Sequence, residues 1–147
     1  MKEALAEAMQ AEKEGEVPIG AVVVMGGRII GRGRNCREDL QQTYGHAEMI
    51  AIEQACRALN SWKLDGCDIY VTSEPCPMCA GAIVQARIAR VYYGIEDPKA
   101  GSFGSLFDLS VVQGLNHYPE IHSGVMEAEC RQLLEAFFKK LRSRAPK

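Results

Sequence analysis

The sequence has no apolar run long enough to cross a membrane and no export signal at its start. Its hydrophobic stretches all fall short of the ~20 residues that span a bilayer. Residues 1–7 carry acids where a signal peptide has a basic and then an apolar segment. Internal repeats and linkers are also absent. We therefore expect one domain over residues 1–147, located in the cytoplasm and without a membrane partner.

A strong excess of either charge is missing as well, which argues against a generally basic nucleic-acid binder. Seventeen lysines and arginines stand against nineteen acids, a formal net charge of -2. The basic residues are nevertheless grouped: residues 28–37 hold four arginines and residues 139–147 hold three lysines and two arginines, with no acid in either segment. If the two segments meet in the fold, they form a local anion-binding surface. The alternative is a solvated C-terminal tail.

The order of helix and strand signals predicts a layered α/β fold. Helical spacing, β-rich runs and turn residues alternate along the chain. Helices between the later strands imply parallel strand pairing. The sequence therefore predicts a three-layer α/β/α sandwich with a central five-stranded mixed sheet. The predicted elements are a helix over 4–14, strands over 17–25 and 28–33, a helix over 46–59, a strand over 68–72, a helix over 77–87, strands over 90–94 and 120–122, and a last helix from 126.

One histidine and two cysteines have the residue types and spacing of a metal centre. Zinc favours such ligands, and Cys76 and Cys79 lie at positions i and i+3 at the start of a predicted helix, beyond His46 at the start of another. A helix N-terminus also stabilises thiolates. Each fragment alone has a simpler explanation: a helix cap for the histidine, and a redox pair or half of a four-cysteine zinc site for the cysteines. Together they predict a single metal centre.

The number of protein ligands separates a structural zinc from a catalytic one. A structural site usually has four, whereas a catalytic site has three and an open position for water. None of the further candidates forms a second paired motif, which favours an open site with Glu48 exchanging protons with the water. The further candidates are Cys36, Cys56, Cys67, Cys130, His117 and His122.

The two fragments His46-Ala-Glu48 and Pro75-Cys-Pro-Met-Cys79 together resemble the signature of zinc-dependent nucleobase deaminases. Other segments narrow the resemblance to the bacterial tRNA adenosine deaminases, over about residues 3–142. The chain departs from the usual family pattern at Gln42-Thr43-Tyr44-Gly45 and at Ser73, and the ligand residues are unaffected. The matching segments are Glu16-Val-Pro-Ile-Gly-Ala-Val22, Gly31-Arg-Gly-Arg-Asn35, Glu74-Pro-Cys-Pro-Met-Cys-Ala-Gly-Ala82, Gly104-Ser-Leu-Phe-Asp108, Leu115-Asn-His117 and Glu135-Ala-Phe-Phe-Lys-Lys140. Those with Gly-Ser-Leu and Leu-Asn-His narrow the choice.

The resemblance implies a cytidine-deaminase-like fold over residues 1–147, ending in a basic helix end and tail at 139–147. It also implies one Zn²⁺ per subunit, a homodimer, and hydrolytic conversion of adenosine to inosine at the wobble position of a tRNA anticodon stem-loop, with arginine tRNA as the expected substrate. Glu48 is the implied proton carrier. The implied substrate contacts are Val17, Ile19, Asn35, Asp97, Lys99, Asn116 and Phe138.

Simpler roles remain open for several of these residues: Asn35 as a turn cap, Phe138 as a core residue, and Lys99 as a solvated loop charge. Two other functions also remain open. One is deamination of a free nucleobase or nucleoside, such as guanine or cytosine, and the other is a non-catalytic zinc fold that binds RNA. The basic segments favour RNA over a free base, because a small neutral substrate has no need of them.

Overall fold

The computed structural model describes residues 1–145, in which five strands form one mixed sheet. The strands are β1 (Gly20–Met25), β2 (Arg28–Arg34), β3 (Asp68–Ser73), β4 (Arg90–Ile95) and β5 (Glu120–His122), and their order across the sheet is β2-β1-β3-β4-β5. β1 pairs antiparallel with β2 and β3, whereas β4 pairs parallel with β3 and β5. This arrangement confirms the predicted five-stranded mixed sheet.

Helices cover both faces of this sheet. They are α1 (Lys2–Lys13), α2 (Arg37–Leu40), α3 (Ala47–Leu59), α4 (Pro77–Gln85) and α5 (Glu127–Arg144). Successive residues of a strand point to opposite faces. Ala21 and Val23 of β1 therefore join the core with α3 and α4, while Gly20 lies against α1 and Gly94 of β4 lies against α5. The three-layer α/β/α sandwich is confirmed.

Two glycines of β2 let α3 approach the sheet closely. A Cβ atom at Gly33 would lie 2.1 Å from the carbonyl oxygen of Ala47, and one at Gly31 would lie 2.1 Å from that of Ala51. The facing helix residues are alanines, so backbone packs against backbone. This contact fixes the start of α3, and with it His46, beside the end of β2.

Besides shifts of one or two residues at other ends, the structure differs from the predicted elements at two places before His46. β1 begins at Gly20, and the preceding residues form a tight turn in which the Ile19 N–H donates to the Val17 carbonyl at 2.8 Å. Pro18, which has no N–H, lies inside this turn. The polar stretch before His46 also contains the short helix α2, which the sequence analysis missed.

None of the helices between residues 1 and 145 has both the length and the apolar composition that crossing a bilayer requires.

Candidate metal centre and substrate pocket

The topology brings the starts of α3 and α4 to one edge of the sheet. β2 and β3 are each antiparallel to β1, so both run toward the same edge. α3 starts beside the end of β2, and α4 follows the end of β3 after three residues. His46 and Cys76 are the N-cap residues of the two helices, and Cys79 lies in the first turn of α4. The three predicted ligands are therefore neighbours.

The distances within this cluster fit a tetrahedral zinc ion. His46 Nδ1 lies 3.6 Å from Cys76 Sγ and 3.5 Å from Cys79 Sγ. Zinc bonds of about 2.3 Å to sulfur and about 2.0 Å to nitrogen, at tetrahedral angles, place nitrogen and sulfur about 3.5 Å apart. Within residues 1–145, these three residues form the one group of side chains with metal-ligand spacing. A fourth protein ligand is thus missing from the described cluster, which agrees with an open coordination position.

The two thiols are not equivalent. The contact with Cys79, helped by His46, lowers the pKa of Cys76 to about 4. The contact with Cys76, burial and the Glu48 carboxylate all raise the pKa of Cys79. The contact with Cys76 also raises the pKa of His46. Two thiolates beside a carboxylate repel one another, and a bound cation removes that repulsion.

Glu48 lies in the first turn of α3 and is only 4% exposed. Burial raises its pKa to about 7, and the charge of Cys76 adds to the rise. Its carboxyl group contacts Cys79 but does not belong to the ligand cluster. The position of Glu48 therefore suits a proton carrier beside the predicted metal.

The cluster forms one side of a cavity of about 240 Å³. Four of the predicted substrate contacts line it, together with His46, Glu48 and Cys76; they are Val17, Ile19, Asn35 and Asp97. A second groove, of about 650 Å³, shares Val17, Ile19, Ser73 and Asp97 with the cavity and extends along α5. Lys99 and Phe138 line this groove. Asn116 is exposed and lines neither space.

The structure agrees with some of the simpler roles considered for Asn35, Phe138 and Lys99 and disagrees with others. Asn35 lines the pocket and also caps a turn, because its Oδ1 accepts from the Arg37 N–H at 3.2 Å. Phe138 is 40% exposed, so it is not a core residue. Lys99 is an exposed loop residue beside the groove. The roles of all three in substrate binding stay predictions.

The sequence analysis missed several residues that line the pocket. Arg37 had been counted only as part of a basic segment, and Ser73 only as a departure from the family pattern. Glu74 is a buried acid directly after β3, and its burial is known only from the structure. The one signal in the sequence was its place directly before the cysteine motif. The missed residues are Arg37, Ala47, Ser73, Glu74 and Ala100.

Two arginines of residues 28–37 pair with acids near the N-terminus and not with the C-terminal basic segment. Arg32 pairs with Glu3 at 3.2 Å, and Arg34 pairs with Glu14 at 2.9 Å. On the other side of α1, Lys140 pairs with Glu12 at 3.4 Å. The acidic helix α1 thus lies between the two basic segments and neutralises part of each. Residues 146 and 147 of the predicted tail lie outside the described part of the chain.

Comparison with known proteins identifies the family. Residues 1–142 match the family described as MafB19-like deaminase. The chain is 52% identical over 144 residues to the tRNA-specific adenosine deaminase of Bacillus subtilis (strain 168), covering 98% of this chain and 89% of the relative.

Solved structures show the same likeness. One from a study of A-to-I editing by tRNA:A34 deaminases at the wobble position of transfer RNA has a TM-score of 0.88 at 46% identity, covering 91% of this chain and 97% of that one. A guanine deaminase from Bacillus subtilis has a TM-score of 0.63 at 32% identity, covering 99% of this chain and 93% of that one. The chain therefore belongs to the family of bacterial tRNA-specific adenosine deaminases, within the cytidine deaminase-like superfamily.

Proposed function

We propose that this chain is a hydrolase that converts adenosine to inosine at the wobble position of a tRNA anticodon loop. The main support is the cluster of His46, Cys76 and Cys79 at the pocket, with the buried Glu48 beside it. The chain is also 52% identical to a tRNA-specific adenosine deaminase. Arginine tRNA is the substrate we propose to test first, as the family resemblance implies.

One Zn²⁺ per subunit is the ion proposed for His46, Cys76 and Cys79. The nitrogen-to-sulfur distances and the mixed nitrogen and thiolate donor set support this choice. When bound by three protein ligands, zinc lowers the pKa of a water molecule to about 7 and so supplies hydroxide at neutral pH.

Glu48 is the proposed proton carrier. Its carboxylate takes a proton from the attacking water and delivers it to ring N1 of adenine. It then takes the second proton from the hydroxyl newly bonded to C6 and gives it to the amine, which leaves as ammonia. A carboxylate can do this only if it is free of the metal, and Glu48 lies beside the ligand cluster without belonging to it. Burial keeps its pKa near 7, so either protonation state is accessible at neutral pH.

The two connected spaces support recognition of a nucleotide within RNA. The adenine must leave its stack to reach Glu48, which costs least in a single-stranded loop. We place the extruded base in the pocket, against Asn35 and Asp97, and its neighbours in the groove, near Lys99 and Phe138. Asn116 lies outside both spaces, so the family resemblance alone supports a role for it. Val17 and Ile19 border both spaces.

A free-base deaminase is the second candidate, because the chain also resembles a guanine deaminase. The assay that separates the two incubates the zinc-loaded protein with an arginine-tRNA anticodon stem-loop, with guanine and with cytosine. We expect inosine in the RNA and no turnover of the free bases. Turnover of the free bases alone would reject the RNA proposal. A stem-loop with guanosine at the wobble position is the matched control.

A homodimer is proposed as well. Several large apolar side chains between β4 and β5 are exposed, an arrangement typical of a protein contact surface. They are Leu106 at 50%, Phe107 at 55%, Val111 at 73%, Val112 at 42% and Tyr118 at 45%. Light scattering of wild type and Phe107→Ser tests the dimer, and equal monomer masses for both would contradict it.

All six cysteines are unpaired thiols, which supports the proposed cytoplasmic location.

A further inference from the structure

Two buried carboxylates beside the pocket direct their oxygens at the backbone of its walls. We propose that Glu74 and Glu16 are positioning residues, with Glu74 holding the wall of residues 97–105 and Glu16 holding the wall of residues 35–40. The expected effect of these residues on RNA turnover rests on the proposed function, whereas their expected effect on the order of the two walls does not.

Glu74 is 3% exposed and lies at the centre of the loop that follows β4. Its Oε1 accepts from the Asp97 N–H at 3.2 Å and from the Ser105 hydroxyl. Its Oε2 accepts from the N–H groups of Phe103 at 3.0 Å and Ser105 at 3.2 Å. A Cβ atom at Gly101 would lie 2.3 Å from the Glu74 carboxyl carbon, so the loop wraps tightly around this group.

This loop carries two of the proposed substrate contacts. The Asp97 carboxylate accepts from the N–H groups of Lys99 at 3.0 Å and Ala100 at 3.3 Å, which shapes the turn between pocket and groove. The turn is anchored through the Asp97 N–H on Glu74. Glu74 therefore determines where Lys99 stands through the backbone of Asp97.

Glu16 has the same function on the opposite wall. It is 2% exposed, and its two oxygens accept from the N–H groups of Glu38 at 3.1 Å and Asp39 at 2.8 Å. Both groups belong to the first turn of α2, where backbone N–H groups have no partner within the helix. A carboxylate from another segment satisfies them and ties α2 to the residue before Val17.

The fixed turn of α2 in turn orients Asn35. The Arg37 N–H, one residue before the two amides bound by Glu16, donates to Asn35 Oδ1 at 3.2 Å. The Asn35 side-chain amide donates to the Val17 carbonyl at 3.3 Å. Glu16 thereby sets the position of a residue that lines the pocket.

Glutamine is the informative substitution at both positions because it is nearly isosteric. It replaces one acceptor oxygen by an NH₂ group, which points at backbone donors and leaves at least one buried N–H without a partner. Glu74→Gln should therefore loosen residues 97–105, and Glu16→Gln should loosen residues 35–40. Each variant is the matched control for the other.

Peptide-resolved hydrogen exchange on the zinc-loaded protein tests the two walls directly. We expect exchange in each variant to rise about tenfold on its own wall and to stay at the wild-type rate on the other. Equal rises on both walls, or no rise on either, would overturn the proposal. If Glu74→Gln does not fold, Ser105→Ala removes only the hydroxyl contact and should raise exchange within 97–105 alone.

Double variants separate positioning from a general loss of stability. In kcat/KM on the stem-loop, Glu74→Gln with Lys99→Ala should lose less than the product of the single losses, because the first change already misplaces Lys99. Glu74→Gln with Asn35→Ala should equal the product. Zinc content should stay at one per chain. Multiplicative losses in both pairs would reject positioning while leaving the RNA function intact. An inactive wild type would instead reject the RNA function, and the exchange rates would still decide the proposal.

Discussion

Three buried glutamates surround the pocket, and their partners give them different roles. Glu16 and Glu74 accept backbone N–H groups, which ties each carboxylate to a neighbouring loop. Glu48 contacts Cys79 instead, and burial raises its pKa to about 7. The residue type is the same in all three cases, so the contacts decide whether a carboxyl group holds backbone or lies beside the ligand cluster.

Replacing Glu48 should abolish turnover and spare the metal. We expect Glu48→Gln to lower kcat on the stem-loop by about 10²–10⁴-fold, the usual contribution of a general acid or base. Glu48→Ala should lower kcat to a similar extent, and elemental analysis should find one zinc per chain in both variants. Glu53→Gln, on the exposed side of the same helix, is the control and should keep wild-type activity. Unchanged turnover in Glu48→Gln would refute the role, whereas zinc and RNA binding without turnover in the wild type would favour a non-catalytic RNA-binding fold.

Cys130 should make stability fall at high pH. Burial raises the pKa of its thiol from 9.0 to about 11. The unfolded chain therefore releases this proton at a lower pH than the folded protein, so the free energy of unfolding falls as pH rises from about 9 to 11. Urea unfolding of wild type and Cys130→Ala at pH 8 and pH 10.5 measures the difference. A fall of equal size in both proteins would contradict the prediction.

Among the elements, the pair of β2 and α3 does most to place the site. Gly31 and Gly33 admit the helix backbone, and the start of α3 carries both His46 and Glu48. α4 needs no such approach, because it follows β3 directly and its own first turn supplies the cysteines. The metal centre therefore depends on one long-range contact and one local connection.

A side chain at Gly33 should displace α3. We expect Gly33→Ala to lower the free energy of unfolding by about 1–3 kcal/mol, as overpacking does, and to weaken zinc retention because His46 moves. Gly81→Ala is the control: nothing lies within 4 Å of its added Cβ, and alanine in a helix raises stability by about 0.5–1 kcal/mol. Urea unfolding and zinc analysis compare the two variants, and similar stability in both would argue against close packing.

Across the whole molecule, the basic side chains fall into two groups: some form ion pairs with acids near the N-terminus, and others line the groove. The glutamates of α1 pair with Arg32, Arg34 and Lys140. Arg142 and Lys99 line the groove and form no ion pair among residues 1–145. The groove also holds the acids Glu96, Asp97 and Glu135, so any phosphate contact there rests on these two cations and not on an overall positive charge.

The salt dependence of RNA binding should distinguish the arginines in ion pairs from Arg142 in the groove. Arg142→Gln should weaken binding to the stem-loop and reduce the slope of log Kd against log salt by about 1, because one phosphate contact is lost. Arg32→Gln should leave the slope unchanged, since its guanidinium already pairs with Glu3 and Glu7. Fluorescence anisotropy at several salt concentrations measures both slopes. An equal reduction in both variants would contradict the assignment.

The sequence by itself determined most strands and helices, and it pointed to the candidate metal ligands and the proposed proton carrier. His46, Glu48, Cys76 and Cys79 stand in two short motifs at helix starts, and strand signals depend on neighbouring residues, so local patterns were enough. Only the tertiary structure decided which arginines are free and which carboxylates hold the pocket walls. Arg34 meets Glu14 across 20 residues, and Glu74 meets Phe103 across 29, so both contacts exist only once the chain has folded back on itself.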